Sequence, residues 1–364
     1  MGSCNCADRV PEQETKLDLP GHSKPKAVES QQEDPSSVII VDRPLFAEND
    51  VLYVQHAFKS YLERKRLEHM QDQMIDFEDS AEINPDLSTE TAIVDIYSRL
   101  SEPAKATFRR ISPLLLHRQV KNVVTLGPRL LTETGDVYMG QWAVREDGKP
   151  CRKGKGKLVT PAGALLEGYW KNGKLHLSGR IIYPNGDCYE GPFVEGVRSG
   201  KGRFETFERK AVYIGDWDED VRQGYGIEQF EDGSRYEGAF SADSKTGKGK
   251  FSWKDGSAYD GDFIEGRLEG FGTYAWYDGR KYSGLWKSGK MNGKGSFTYK
   301  DGKSYDGEYL NDKKHGFGVY KWEGQMYEGE WYQGKMHGFG YLTNTKGRKR
   351  YEFRDGNKVR EAPE

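Results

Sequence analysis

The sequence predicts a mainly β chain: one elongated antiparallel sheet of about nine hairpins, preceded by a non-repetitive N-terminal part with a few helices. Three observations carry this expectation. A unit recurs every 22–24 residues, opening at Leu166, Tyr189, Tyr213, Tyr236, Tyr259, Tyr282, Tyr305 and Tyr327. Each unit begins with an alternating Tyr-x-Gly-x-aromatic stretch and continues into a G-x-G. Asp-Gly or Glu-Gly pairs punctuate the units, and such pairs between alternating strands signal hairpin turns.

Each piece of the unit has a physical reason. In a strand, side chains alternate between faces, so Tyr327, Gly329 and Trp331 point one way and Glu328 and Glu330 the other. A Gly or Asp follows (Gly266, Gly289, Asp312, Gly334), where a tight turn needs permissive backbone angles. The second strand carries G-x-G, as in Gly293-Lys294-Gly295, leaving a bare bed for the rings of adjacent strands. A second turn (Asp255-Gly256, Asp278-Gly279, Asp301-Gly302, Glu323-Gly324) leads to the next tyrosine. An irregular first unit opens at Tyr138, and a frayed remnant, Tyr351-Glu352-Phe353, ends the series. Atypical terminal units are expected of a stacked array.

This pattern resembles the MORN repeat (membrane occupation and recognition nexus), whose form is roughly Tyr-x-Gly-x-Trp-x-x-Gly-x-x-x-Gly-x-Gly. Residues 282–295 meet every fixed position, and the resemblance covers about residues 136–356. Departures are local: Leu166 replaces a tyrosine, only Gly179 survives of its G-x-G, and Phe193, Phe240, Phe263 or Tyr309 replaces tryptophan. The array is assigned to 131–364, with Tyr213, Trp217, Tyr236, Tyr259, Tyr282, Trp286, Tyr305, Tyr327 and Trp331 as its structural residues.

The N-terminal part divides into three stretches. Residues 1–47 read as a solvated segment opened by Met1-Gly2-Ser3-Cys4-Asn5-Cys6. Gly2 is placed for myristoylation and Cys4 and Cys6 for palmitoylation, although Cys6 stands where Ser or Thr is usual. One myristoyl chain binds a membrane only marginally, so the thiols would supply the second anchor. The start resembles dually acylated proteins such as Src-type kinases. The apolar run Val38–Val41 could add a strand to a sheet edge or stay solvated. Residues 48–80 hold an amphipathic helix and an acidic linker; Val54, Gln55, Lys59 and Arg64 resemble an IQ motif, which implies calmodulin or a light-chain-like protein as partner. An anionic membrane surface, or packing against the first repeat, fits that helix as well.

Residues 87–130 are expected to cap the sheet with two helices, Ser88–Leu100 and Ser101 to about Val120, the second kinked or ended by Pro113. Arg109-Arg110-Ile111-Ser112 has the form of a basophilic kinase site.

Composition narrows the function. With 55 basic and 57 acidic residues there is no global basic field, so no nucleic-acid partner is expected. The four cysteines make no paired framework or metal-ligand set. The seven histidines offer no catalytic arrangement; His315 and His337 share one repeat offset and His176 precedes a degenerate G-x-G. The G-x-G units lack the strand-to-helix context of phosphate loops. No enzyme, cofactor or metal is expected. By resemblance to junctophilins, the chain reads as a scaffold at the cytosolic face of a plasma membrane or cell cortex, offering an aromatic-floored groove to a protein partner. The alternative is a structural subunit of a cytoskeletal or axonemal assembly, in a cilium for example. Lipid binding through Lys201, Lys248 and Lys294 is a weaker reading, those lysines being more simply solvated outer-face residues; a homodimer of arrays stays open.

Overall fold

The computed structural model describes residues 95–131 and 133–363. Gly2, Cys4, Cys6, Val54, Gln55, Lys59 and Arg64 lie outside them, as do residues 1–47 and 48–80. The described part forms one antiparallel sheet of 22 strands. The strands pair in chain order from Val124–Leu130, through Val137–Val144 and Pro150–Val159, to Gly347–Arg354 and Asn357–Glu361. Val197–Arg198 and Gly200–Glu205 together hold one place in the series, both pairing with Cys188–Val194.

Two kinds of turn alternate. In Glu265–Gly266, Ser288–Gly289, Asn311–Asp312 and Gln333–Gly334 both central residues have positive φ, from 48° to 87°. That is the two-residue turn whose twist matches the strands it joins. Each also bonds to the preceding hairpin: Gly266 N donates to Lys245 O at 2.9 Å and Gly334 N to Lys314 O at 2.8 Å. The turns thus tie neighbouring hairpins along one side of the sheet. In the other kind, Gly256 N donates to Trp253 O at 3.1 Å and the Asp255 carboxylate accepts Ser257 N at 2.8 Å, so the aspartate fixes the turn with its own side chain.

The glycine bed has a more particular purpose than bareness. Gly284 opposes Gly295 across the ladder, and the Tyr282 ring lies over both. A Cβ on Gly295 would overlap that ring. The phenol then donates to Leu285 O at 2.9 Å, and the same bond recurs at Tyr213, Tyr236, Tyr259, Tyr305 and Tyr327. The first glycine of G-x-G does something else. Between the Gly284–Gly295 and Trp286–Met291 pairs, the second strand spends four residues where the first spends two. Gly293, at φ 94°, occupies that bulge.

Of the region expected to be two capping helices, residues 87–94 lie outside the described residues and the rest differs. Asp95–Leu100 is a run of turns closed by Ser98 N to Asp95 O (3.1 Å) and Leu100 N to Tyr97 O (3.2 Å). It gains no further turn because Ser101 N donates to Gly163 O of the sheet. Helix α1 spans Glu102–Arg110, with Ser101 capping Ala104 N at 3.2 Å and proline in the first turn. It stops well short of Val120, because Pro113 forces Ser112 into extended backbone. Val124–Leu130, also expected in the helical cap, is the first strand.

The segment covers a face of the sheet rather than its edge. Ile96, Leu100 and Ala104 pack on Val137, Val159, Leu165, Ile182 and Cys188, each next in sequence to a residue of the ring face.

A candidate docking face

Aromatic side chains define the ring face. Tyr282 makes edge-to-face contacts with Trp286 of its own strand and with Tyr309 of the next hairpin, both at centroid distances of 5.2 Å. Repeating this step links Tyr189, Phe193, Tyr213, Trp217, Phe240, Tyr236, Phe263, Tyr259, Trp286, Tyr282, Tyr309, Tyr305, Trp331, Tyr327 and Phe353 into one chain of rings. All nine structural residues named from the sequence lie buried in this chain. They form the floor and are not themselves open to a partner. Burial pushes the Tyr213, Tyr236, Tyr259, Tyr282, Tyr305 and Tyr327 phenols well above the ordinary tyrosine range.

A second chain of rings runs beside the first. Phe230, Phe251, Trp253, Tyr274, Trp276, Phe297, Tyr299, Tyr320 and Trp322 follow one another with centroids 4.5–6.2 Å apart. Its outer members, Phe230, Trp253, Trp276, Tyr299 and Trp322, are only half-buried. Trp253, Trp276 and Tyr299 each stand three residues before an Asp-Gly glycine, a signal present in the sequence at the repeat period. Cations sit against the rings. Lys314 Nζ lies 4.0 Å from the Tyr320 centroid and 4.7 Å from that of Trp331, and Arg280 lies 5.3 Å from that of Trp276. Acidic partners offset several of these charges: Asp278 accepts from Arg280 at 2.8 Å, and Glu228 from Arg222 (2.8 Å) and Lys245 (2.5 Å). The ring face therefore offers a half-exposed aromatic strip with basic groups set among the rings.

The opposite face has another character. Lys201 and Lys248 project there and pair at 2.7 Å with Asp216 and Asp262, and Lys294 stands opposite Glu308 in the ladder. These lysines are outer-face residues with acidic neighbours. The acids also cap the bulge: Asp262 accepts Phe271 N at 3.0 Å and Asp216 accepts Tyr225 N at 3.0 Å. His315 and His337 both lie against Tyr332, at 5.5 and 5.6 Å between centroids. His176 approaches Glu195, and burial lowers its pKa. Among the described residues no cluster of three or more His, Cys, Asp or Glu is arranged to hold a metal ion, and no helix is long and apolar enough to cross a membrane.

Near the N-terminal end the opposite face carries a charged clasp. Arg180, 3% exposed, donates to Glu167 at 2.8 Å, to Glu190 at 2.6 Å and to Ser112 O at 2.9 Å. Lys157 reaches both Glu167 (3.3 Å) and the Tyr97 hydroxyl (2.9 Å), and Arg110 pairs with Glu205 at 2.6 Å. These bonds hold residues 97–112 on the sheet.

Alsin of Mus musculus and alsin of Homo sapiens are each 30% identical to this chain over 97 residues. That stretch is 25% of this chain and 6% of theirs, so the chain spans only a small part of the length of these relatives. Among solved structures, similarity is found to the SAS-4 (dCPAP) TCP domain of Drosophila melanogaster in complex with a proline-rich motif of Ana2, at 16% identity and TM-score 0.30, covering 55% of this chain and 99% of that one. A TCP10 domain of Danio rerio CPAP matches at 12% identity and TM-score 0.28, covering 61% and 98%. The MORN repeat family model matches residues 167–188, 189–205, 213–235, 236–258, 259–279, 282–304, 305–325 and 327–347. The unit at Tyr138 and the remnant at Tyr351 fall outside these matches, yet both contribute rings to the same face. The chain thus carries eight MORN repeats, each a β-hairpin of the one sheet.

Proposed function

We infer that this chain is a non-enzymatic scaffold whose repeat sheet takes a protein partner along the half-exposed strip of Phe230, Trp253, Trp276, Tyr299 and Trp322. Acyl chains on Gly2, and on Cys4 or Cys6, would hold it at the cytosolic face of a membrane. The observation that carries the reading is the second ring chain. The Tyr and Trp of the repeat are consumed in building the sheet, whereas these rings remain half-buried with basic groups among them. Large amphipathic rings on a rigid surface give contact area at little conformational cost, which suits them to anchor a partner.

Two measurements test the two halves separately. Affinity capture from native cells, comparing the wild type with a Trp253→Ala/Trp276→Ala double variant, should lose its stoichiometric partner while thermal unfolding stays cooperative. An unchanged partner profile would move docking elsewhere. Intact mass of the N-terminal peptide, with membrane fractionation of wild type and Gly2→Ala, should show myristate plus palmitate and a soluble variant. An unmodified terminus would remove the anchor, and co-purification with detergent-resistant cytoskeleton would then support the structural-subunit alternative.

A further inference from the structure

The kinase-type motif at Arg109-Arg110-Ile111-Ser112 plays no part in the docking face, and its surroundings say which enzyme it suits. Ser112 and Pro113 are both exposed. The helix has already ended: Ile111 is extended, at φ −87° and ψ 151°, and proline holds the residue before it in extended backbone. An extended acceptor is what kinase clefts bind. The two arginines that would recruit a basophilic enzyme lie instead in the last turn of α1, and Arg110 is engaged by Glu205 at 2.6 Å. Pro113 needs no such rearrangement to be read.

We propose that Ser112 is the phosphoacceptor of a proline-directed serine/threonine kinase, and that its phosphate unfastens residues 95–112 from the sheet. In the transfer, Ser112 Oγ attacks the γ-phosphorus of ATP. ADP leaves with the electron pair of the broken P–O bond, and the hydroxyl proton passes to the kinase's catalytic carboxylate. The product places a dianion just past the C-terminus of α1, where the helix dipole opposes it. It also competes for the guanidinium groups that fasten the segment: Arg110, now on Glu205, and Arg180, now on Glu167, Glu190 and the Ser112 carbonyl. Glu205 would keep Arg203 (2.7 Å) and Glu167 would keep Lys157 (3.3 Å), but each buried carboxylate loses one of its two cations, so the closed arrangement loses on both counts.

Release has a built-in reporter. Cys188 is buried beneath Ile96, Leu100 and Ala104, and burial pushes its thiol up to about 12. Uncovered, it would return toward the ordinary thiol range and react. Cys151, also buried but outside that cluster, serves as the internal control.

The full-length chain is incubated with ATP and either a purified proline-directed kinase or a purified basophilic one. Peptide mass then locates phosphate, and maleimide labelling follows Cys188 and Cys151 separately. The expected result is phosphate on Ser112 from the proline-directed kinase, with Cys188 labelling about tenfold faster, the order of effect for a charge turned against a helix end. Cys151 should be unchanged, and Ser112→Ala should show no acceleration. An unmodified Ser112, or modification by the basophilic kinase alone, overturns the assignment. Phosphate on Ser112 with Cys188 still protected, or with Cys151 accelerated equally, overturns the release.

Discussion

The first hairpins of the sheet and the later ones solve the same problem by different means. From Tyr213 to Phe353 each hairpin repeats one device: a tyrosine ring laid over paired glycines and wedged edge-to-face between two further rings. Around Leu165–Ile182 that device fails, because Leu166 stands where the ring should be. Phe193 fills the place over Gly179 and Leu175 the place near Gly168. Leu177 even adopts φ 64°, where Gly247, Gly270, Gly316 and Gly338 lie at 59–60°. The clasp of α1 and the Arg180 network lies on the opposite face of this hairpin and of its neighbours at Tyr138 and Tyr189, which keep a ring over paired glycines. A single-faced aromatic core suffices in the later hairpins; around the degenerate one, a second layer supports the sheet.

The largest expected effect tests the regular half. Trp286 touches the rings of Tyr259, Tyr274 and Tyr282 and donates to Gly272 O at 3.1 Å. Trp286→Ala should cost about 3–5 kcal/mol. In a repeat array the loss should centre on the hairpins at 259–298, so hydrogen exchange should quicken there first and leave residues 137–182 protected. Uniform loss of protection would show that the two regions are not separable.

Arg180→Ala probes the clasped half. It leaves Glu167, 4% exposed, with Lys157 as its remaining cation, and frees the Ser112 carbonyl. A loss of about 3 kcal/mol is expected, the lower end for breaking a buried pair, since one partner stays. Urea unfolding measures it, and proteolysis should cut between residues 95 and 118 before the sheet itself. A variant as stable as the parent, with that segment still resistant, would show that apolar contacts alone fasten it.

The two halves were unequally legible in the sequence. Tyr213, Tyr259 or Trp331 could be placed because each repeats a local rule, and a register read once holds at every period. The bulge could not, because Asp262 capping Phe271 N depends on two strands meeting with two residues to spare. The second ring chain was visible in principle, since Trp253, Trp276 and Tyr299 keep the period, but half-burial depends on the neighbours above them. The clasp left no local trace. Arg110 with Glu205, and Arg180 with Ser112, join residues far apart in the chain, and no spacing rule anticipates them.

Leu166→Tyr would restore the family residue and sharpen the contrast. If the degenerate repeat merely lacked a ring, the variant would gain stability. Phe193 and Leu175 already occupy the space over Gly179 and Gly168, so overpacking should instead cost about 1–3 kcal/mol. A rise in melting temperature would mean the neighbours yield readily and that the clasp is not a response to the missing ring.

The smallest effect lies inside the regular half. Tyr309 stands where Trp286 and Trp331 stand in their repeats, but the indoles reach Gly272 O and Gly318 O, whereas the Tyr309 hydroxyl is buried without a protein partner among the described residues. Its ring contacts to Tyr282 and Tyr305 do not involve the oxygen. Tyr309→Phe therefore removes a desolvated polar atom and keeps the ring, and should raise stability by about 1 kcal/mol. Denaturant unfolding at constant slope would register the gain. A loss of the same size would mean that the hydroxyl finds a bond in solution, and that the regular repeats, too, hold a polar group in the ring layer.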